Sequence, residues 1–159
     1  MTDSTDSIVT HPPSPSHSPS PGVCTCFRMR KLSRLMSQRY DQALAPAGVN
    51  LNQYSILRRT GGQGRPLGEI AHELGMDRST LSRDLKPLVE AGWIEAIAGD
   101  DARQRRLRIT RTGRKVIDRA MPLWRVAQDE IDCGLGVDGI AVLHAQLDAA
   151  IAQLQGASR

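Results

Sequence analysis

Hydrophobic positions recur at helical spacing along most of this chain and alternate only in two short runs, at residues 93–97 and 107–109. That switch of period lays out the elements. Leu32, Leu35, Met36, Ala43 and Leu44 trace one side of a helix predicted over residues 23–45, which Pro46-Ala47-Gly48 breaks. Asn50, followed three residues later by Gln53, predicts a capping box. It opens a helix through Tyr54, Ile56 and Leu57 that Gly61-Gly62 ends. Residues 67–92 then read as two short helices around a tight turn at Gly75-Met76-Asp77. Ile70, Ala71 and Leu74 form the apolar stripe of the first, and Leu81, Leu85, Leu88 and Val89 that of the second. Asp77 stands where a carboxylate caps the second helix by accepting free amide hydrogens of its first turn.

After Gly92 the alternation of Trp93-Ile94-Glu95-Ala96-Ile97 predicts a half-buried strand. Gly99-Asp100-Asp101 is a turn, Arg103 to Arg106 is a basic stretch, and Leu107-Arg108-Ile109 alternates again. Together these predict a two-stranded hairpin with a long tip. A hairpin is marginal alone, so Trp93, Ile94 and Ile109 are expected to pack on the preceding helix. Residues 110–133 carry a long stripe of Val116, Ala120, Leu123, Trp124, Ala127 and Ile131, with a bend expected at Pro122. A last helix runs from Asp138 through Ile140, Leu143, Leu147, Ile151 and Leu154. The helices at the two ends carry more apolar stripe than a small hairpin-and-helix unit can cover, which predicts an intertwined dimer. The fold class is therefore mainly α with a small β-hairpin wing, an α+β winged helix-turn-helix with dimerisation helices at both termini.

Composition bounds this plan. The 159 residues suffice for one domain of ordinary size. With aromatics at 3%, its core must be built from Leu, Ile, Val, Ala and Met. Residues 1–22, rich in Ser, Thr and Pro, hold five of the nine prolines and little to bury, so they are expected to form a disordered tail. The net charge is +4, yet the tail contains only Asp3 and Asp6, which leaves 21 basic against 15 acidic side chains elsewhere. That excess favours a polyanionic partner. Cys24, Cys26 and Cys133 make an odd count with no secretory signal and no apolar run long enough for a membrane span. Free thiols in a reducing cytoplasm are expected. No paired carboxylate site, nucleophile elbow or phosphate-cradling glycine loop points to an enzyme, and no cofactor or metal site is expected. His11 and His17 lie in the tail, and His72 and His144 read as ordinary surface or interface residues.

With Leu81 facing the core, Ser79, Arg83, Lys86 and Glu90 point away from it, and hydroxyls and cations at a helix N-terminus suit a DNA-reading helix. The residues carry a resemblance as well. Leu51-Asn52-Gln53-Tyr54 with Leu57, Leu67-Gly68-Glu69-Ile70-Ala71 with Leu74-Gly75, and Ser79-Thr80-Leu81-Ser82-Arg83 with Leu88-Val89-Glu90-Ala91-Gly92 follow one family pattern. Asp101-Ala102-Arg103-Gln104-Arg105-Arg106, leading into Leu107-Arg108-Ile109-Thr110 and Gly113, completes it with a specific D-x-R-x-x-R spacing. From about residue 24 to 154 the chain resembles the MarR family of bacterial winged-helix repressors.

The resemblance implies a domain over residues 23–159, with the winged helix at about 50–110 and dimerisation helices at about 23–45 and 111–155. Its partners would be double-stranded DNA and a second copy of the chain, with no membrane. Ser79, Thr80 and Arg83 take base-edge and near-phosphate positions, Arg103 takes the wing arginine position, and Asp101 sits where the family braces wing arginines. Lys86, Arg105, Arg106 and Arg78 read as phosphate contacts, which add affinity and salt dependence without sequence choice, and Arg108 reads as a solvated charge. A winged-helix module that binds protein is the alternative.

Two regulatory signals are open. Cys24-Thr25-Cys26-Phe27 opens the first helix, where a helix N-terminus favours a reactive thiolate. Cys26-Phe27 is similar to the peroxide-sensing branch of the family, and Tyr40 matches one of that branch's partner tyrosines. Arg30 and Leu51 stand where the others would be. The preferred reading of Cys26 is a small buried residue, and Cys133 reads as packing. The other signal is a small-molecule effector, with Met36, Tyr40, Tyr54 and Trp124 lining a cleft or forming core.

Overall fold

The computed structural model describes residues 24–99 and 105–156. Asp101 and Arg103 lie outside the described residues, as do residues 1–22 and the side chain of Arg105. Helix α1 (Thr25–Leu44) runs into a single 3-10 turn at Ala45–Ala47, where Pro46 supplies the fixed φ that such a turn accepts. Helix α2 (Leu51–Thr60) begins with the full capping box: the Gln53 amide donates to Asn50 Oδ1 at 2.8 Å, and the Asn50 amide to Gln53 Oε1 at 3.1 Å. Then follow β1 (Arg65–Pro66), α3 (Leu67–Glu73), α4 (Arg78–Glu90), β2 (Ile94–Ala98), β3 (Arg105–Ile109), α5 (Arg111–Leu135) and α6 (Val137–Gly156). Helix α4 continues through Pro87 and α5 through Pro122.

The core is one cluster. Leu44, Ile56, Leu57, Ile70, Leu81, Leu88, Ile94 and Val116 are fully buried and join α1 to α5 around the sheet. The sheet corrects one expectation. It has three strands in the order β1-β3-β2, all antiparallel, where the alternation predicts two. Arg65 pairs with Leu107 and Pro66 with Arg106, while Ile94 pairs with Ile109 at the other side of β3. A two-residue strand is too short for alternation to register, so only its partner reveals it. Pro66 is tolerated because an edge strand leaves one side unpaired.

The base of the wing is closed by a tight packing of backbone on backbone. Thr110 caps α5, accepting from the Gly113 amide at 3.1 Å and donating to the Gly92 carbonyl at 2.7 Å. At Gly113 a Cβ would stand 2.2 Å from the Trp93 carbonyl oxygen and 2.7 Å from Ile109 Cγ1, so the position admits only glycine without movement.

Two further expectations change on the protomer surface. Val89 is 44% exposed, because Leu88 takes the buried position and the next residue points about 100° away. Arg108 is not merely solvated: its Nε donates to Glu95 Oε1 at 2.9 Å, directly across the strand pair. On α1 only Tyr40 and Leu44 are buried, so its C-terminal end packs on the chain and Leu35 lies exposed. No residue of α6 is buried, and α5 and α6 turn through 100° at their junction. Among the described residues no single helix is long and apolar enough to cross a membrane; that bent pair passes on length and composition only.

Candidate nucleic-acid interface

The exposed face of α4 is built from its first turn. Asp77 caps the helix as expected, accepting from the Thr80 amide at 2.7 Å. The same carboxylate also collects the hydroxyls of Ser79 at 2.5 Å and Thr80 at 2.8 Å. The Ser79 hydroxyl, then the Thr80 amide and hydroxyl, hold the Asp77 carboxyl far below the usual carboxylate range. Both hydroxyls expected to meet nucleic acid are thus oriented by one capping group. Arg83 and Lys86 follow on the same side of the helix and are exposed, with Lys86 Nζ 3.9 Å from Glu90 Oε1. Leu81, Leu85 and Leu88 seat the opposite side in the core.

The other cations divide. Arg106 is half-buried, and its Nε donates to the Gly64 carbonyl at 3.2 Å, tying β3 to the loop before β1. Arg78 lies across the start of α3: a Cβ on Gly68 would fall 2.9 Å from its Nη2. Arg65 and Arg59 converge on Glu73, at 2.7 and 3.2 Å, and the Arg65 hydrogen bond, then the charges of both, hold its carboxyl below the ordinary value. These pairs brace α2, β1 and α3 against one another behind the exposed face.

Sequence reasoning overlooked Asp84. Its Oδ2 accepts from Asn52 Nδ2 at 2.8 Å, joining α2 to the middle of α4. An acidic residue directly after Arg83, on a helix otherwise suited to a polyanion, was the signal. Asp41 was overlooked as well, and its Oδ1 accepts from the Leu51 amide at 2.7 Å, anchoring the first turn of α2 to α1.

The aromatic group joins α1, α2 and α5 as core. Trp124 stacks between Tyr40, at 6.2 Å between centroids, and Tyr54, at 6.1 Å. The Tyr40 hydroxyl donates to Gln128 Oε1, whose amide donates in turn to Asp132 at 2.8 Å. Burial, and then the Asp132 charge, raise the Tyr40 phenol above its ordinary value. The Tyr54 hydroxyl is buried with no hydrogen-bond partner among the described residues, and Arg58 lies over its ring at 6.0 Å.

Within the protomer neither Cys26 nor Cys133 is buried as expected. Cys24, Cys26 and Cys133 are all exposed in the protomer, the first two because the N-terminal turns of α1 do not pack on the chain's own core. Cys24 is the residue preceding α1, and Tyr40 lies near that helix's opposite end, buried. His72 and His144 are exposed. Among the described residues no three His, Cys, Asp or Glu side chains are grouped to hold a metal.

A helix-turn-helix domain model matches residues 52–95. An HTH-type transcriptional regulator of Bacillus subtilis, YwoH, is 29% identical over 90 residues; the match spans 55% of this chain and 65% of that protein's length. Among solved structures, the M. tuberculosis transcriptional regulator MosR in complex with DNA is 33% identical. That superposition covers 80% of this chain and 98% of MosR, with a TM-score of 0.67. The transcriptional repressor CouR bound to a DNA duplex is 25% identical, covering 81% of this chain and 92% of CouR, with a TM-score of 0.71. A mutant MarR of E. coli complexed with operator DNA shares the fold, at 20% identity over 79% of this chain and 91% of that one, with a TM-score of 0.72.

Proposed function

Because the chain belongs to the MarR family of winged-helix transcriptional regulators, we propose that it acts as a homodimeric repressor of a pseudo-palindromic operator. Membership makes it a DNA-binding transcriptional regulator rather than an enzyme. The observation that carries the finer reading is the exposed face of α4. There Asp77 orients Ser79 and Thr80 beside the exposed Arg83 and Lys86. In this reading α4 of each protomer enters a major groove, with half-sites about one helical turn apart. Arg83 reads a base edge, Lys86 and Arg105 meet phosphates, and Arg103 enters the minor groove with Asp101 bracing it. Arg106, tied to Gly64, adds its charge from the base of the wing.

The dimer reading rests on apolar surface. Phe27, Met29 and Leu35 on α1, with Val137, Val142, Ile151 and Leu154 on α6, are exposed in the protomer, Val137 at 83%. Helices with exposed apolar faces are stable in water only when something covers them, and a second copy meets that need symmetrically. In this reading a winged helix at about 50–110 lies between dimerisation helices at about 23–45 and 111–155.

Binding-site selection on the purified protein tests this reading. It expects a two-fold-related site and a steep fall in affinity with salt. Arg83→Ala should relax one base position per half-site, at a cost of about 1–3 kcal/mol per contact. A protein that captures no duplex above random sequence would overturn it, leaving the module that binds protein.

Release has two candidate signals. The thiol signal is favoured by the place of Cys24 and Cys26 at the N-terminal end of α1, where neither packs on the protomer's own core. Mild peroxide should then weaken DNA binding and leave a disulfide visible by mass, and unchanged binding without one removes this signal. A small-molecule effector is favoured by the Tyr54 hydroxyl, buried without a hydrogen-bond partner among the described residues, beside Trp124 and Arg58.

A further inference from the structure

We infer that Asn52 and Asp84 are a positioning pair that sets the attitude of α4 toward DNA. This rests on the reading of α4 as the DNA-reading helix. Asp84 follows Arg83 directly on that helix, where a free carboxylate would repel a phosphate chain. Instead it is half-buried, and its Oδ2 accepts a hydrogen bond from the Asn52 amide at 2.8 Å. Among the described residues no other side-chain hydrogen bond or ion pair joins these two helices, whose buried Ile56, Leu57, Leu81 and Leu85 belong to one apolar cluster, and apolar contact alone lets a helix slide or rotate slightly at small cost. A charge-assisted hydrogen bond does not, because it is short and directional.

What makes Asn52 a firm post is the first turn of α2. That turn is held from both directions, by the reciprocal Asn50–Gln53 box and by Asp41 of α1 on the Leu51 amide at 2.7 Å. Two residues on, Tyr54 is buried and stacked on Trp124 of α5. Asn52 therefore belongs to the rigid junction of α1, α2 and α5, and Asp84 delivers that junction's position to the residue adjoining Arg83. The pair contacts no base in this assignment; it acts through Arg83 and the first turn of α4.

The test is a double-mutant cycle read on two duplexes, the one recovered by selection and a random sequence of equal length. Asn52→Ala and Asp84→Ala should each weaken the selected duplex about tenfold, in line with loss of one charge-assisted bond. Affinity for the random duplex should stay within about twofold or rise with the lost negative charge. The double variant should be no weaker than the worse single one, since both remove the same bond. Asp84→Asn, which keeps an acceptor oxygen for Asn52, should restore most of the selectivity. The inference is overturned if the two losses multiply, if Asp84→Asn behaves as Asp84→Ala, or if both duplexes weaken in step as in general loss of fold. Failure of the wild-type chain to prefer any duplex would instead strike the reading of α4 itself.

Discussion

Asp77 gathers three donors onto one exposed carboxylate, so at this residue capping and site geometry are the same interaction. Its folded pKa is depressed below the 3.8 of an unperturbed side chain. The contribution to stability is therefore complete above that unfolded value and is lost as pH falls through the lower folded one. Asp77→Ala should lower the thermal midpoint at pH 7 and flatten its acid dependence, whereas Asp77→Asn should keep most of the cap and lose the pH dependence. Melts at pH 7 and pH 3 separate the three proteins. Gly113 is set by a different force, simple exclusion. Gly113→Ala drives a methyl into the Trp93 carbonyl, a rigid neighbour, so a loss at or above the upper end of the roughly 1–3 kcal/mol for overpacking is expected in urea unfolding.

At the scale of elements, α4 is seated by Leu81, Leu85 and Leu88, with Asp84 half-buried beside them on Asn52, and presents Ser79, Arg83 and Lys86 outward. Leu88→Ala should cost about 2–5 kcal/mol, since the fully buried side chain leaves a cavity. Val89→Ala, one residue on and exposed, should stay within about 0.5 kcal/mol. Chemical denaturation of the two variants checks the register directly, because the apolar pattern alone treats Leu88 and Val89 alike. The first turns of α2 and α4 were legible from short strings, Asn50 to Gln53 and Asp77 to Thr80, because a cap is made within three residues. The edge strand at Arg65-Pro66 was not legible. Two residues have no period, and their hydrogen bonds go to β3, some forty positions away.

For the molecule as a whole, the exposed apolar residues of α1 and α6 decide the expected assembly. Val142→Glu with Ile151→Glu should convert a dimer to monomer in sedimentation while the melt of the winged helix changes little, since neither residue is buried in the protomer. A monomer in the unmodified protein would remove the intertwined dimer. DNA affinity should fall with that variant, because two half-sites no longer bind as one ligand. In the proposed dimer, Lys86→Ala should lower affinity evenly across sequences and reduce the salt slope by about 1.

The chain's helices, its helix caps and the polar, cationic face of α4 follow from residues within a turn or two of one another. Local hydrogen bonding and the 3.6-residue period act over that range, and a sequence displays it. Tertiary structure alone decided the third strand, the pairing of Arg108 with Glu95, the tie of Arg106 to Gly64, the exposure of Cys26 and the Asn52–Asp84 bond. Each depends on groups far apart in the chain meeting at hydrogen-bond distance or failing to pack. No local pattern records which side chains the folded core brings opposite one another.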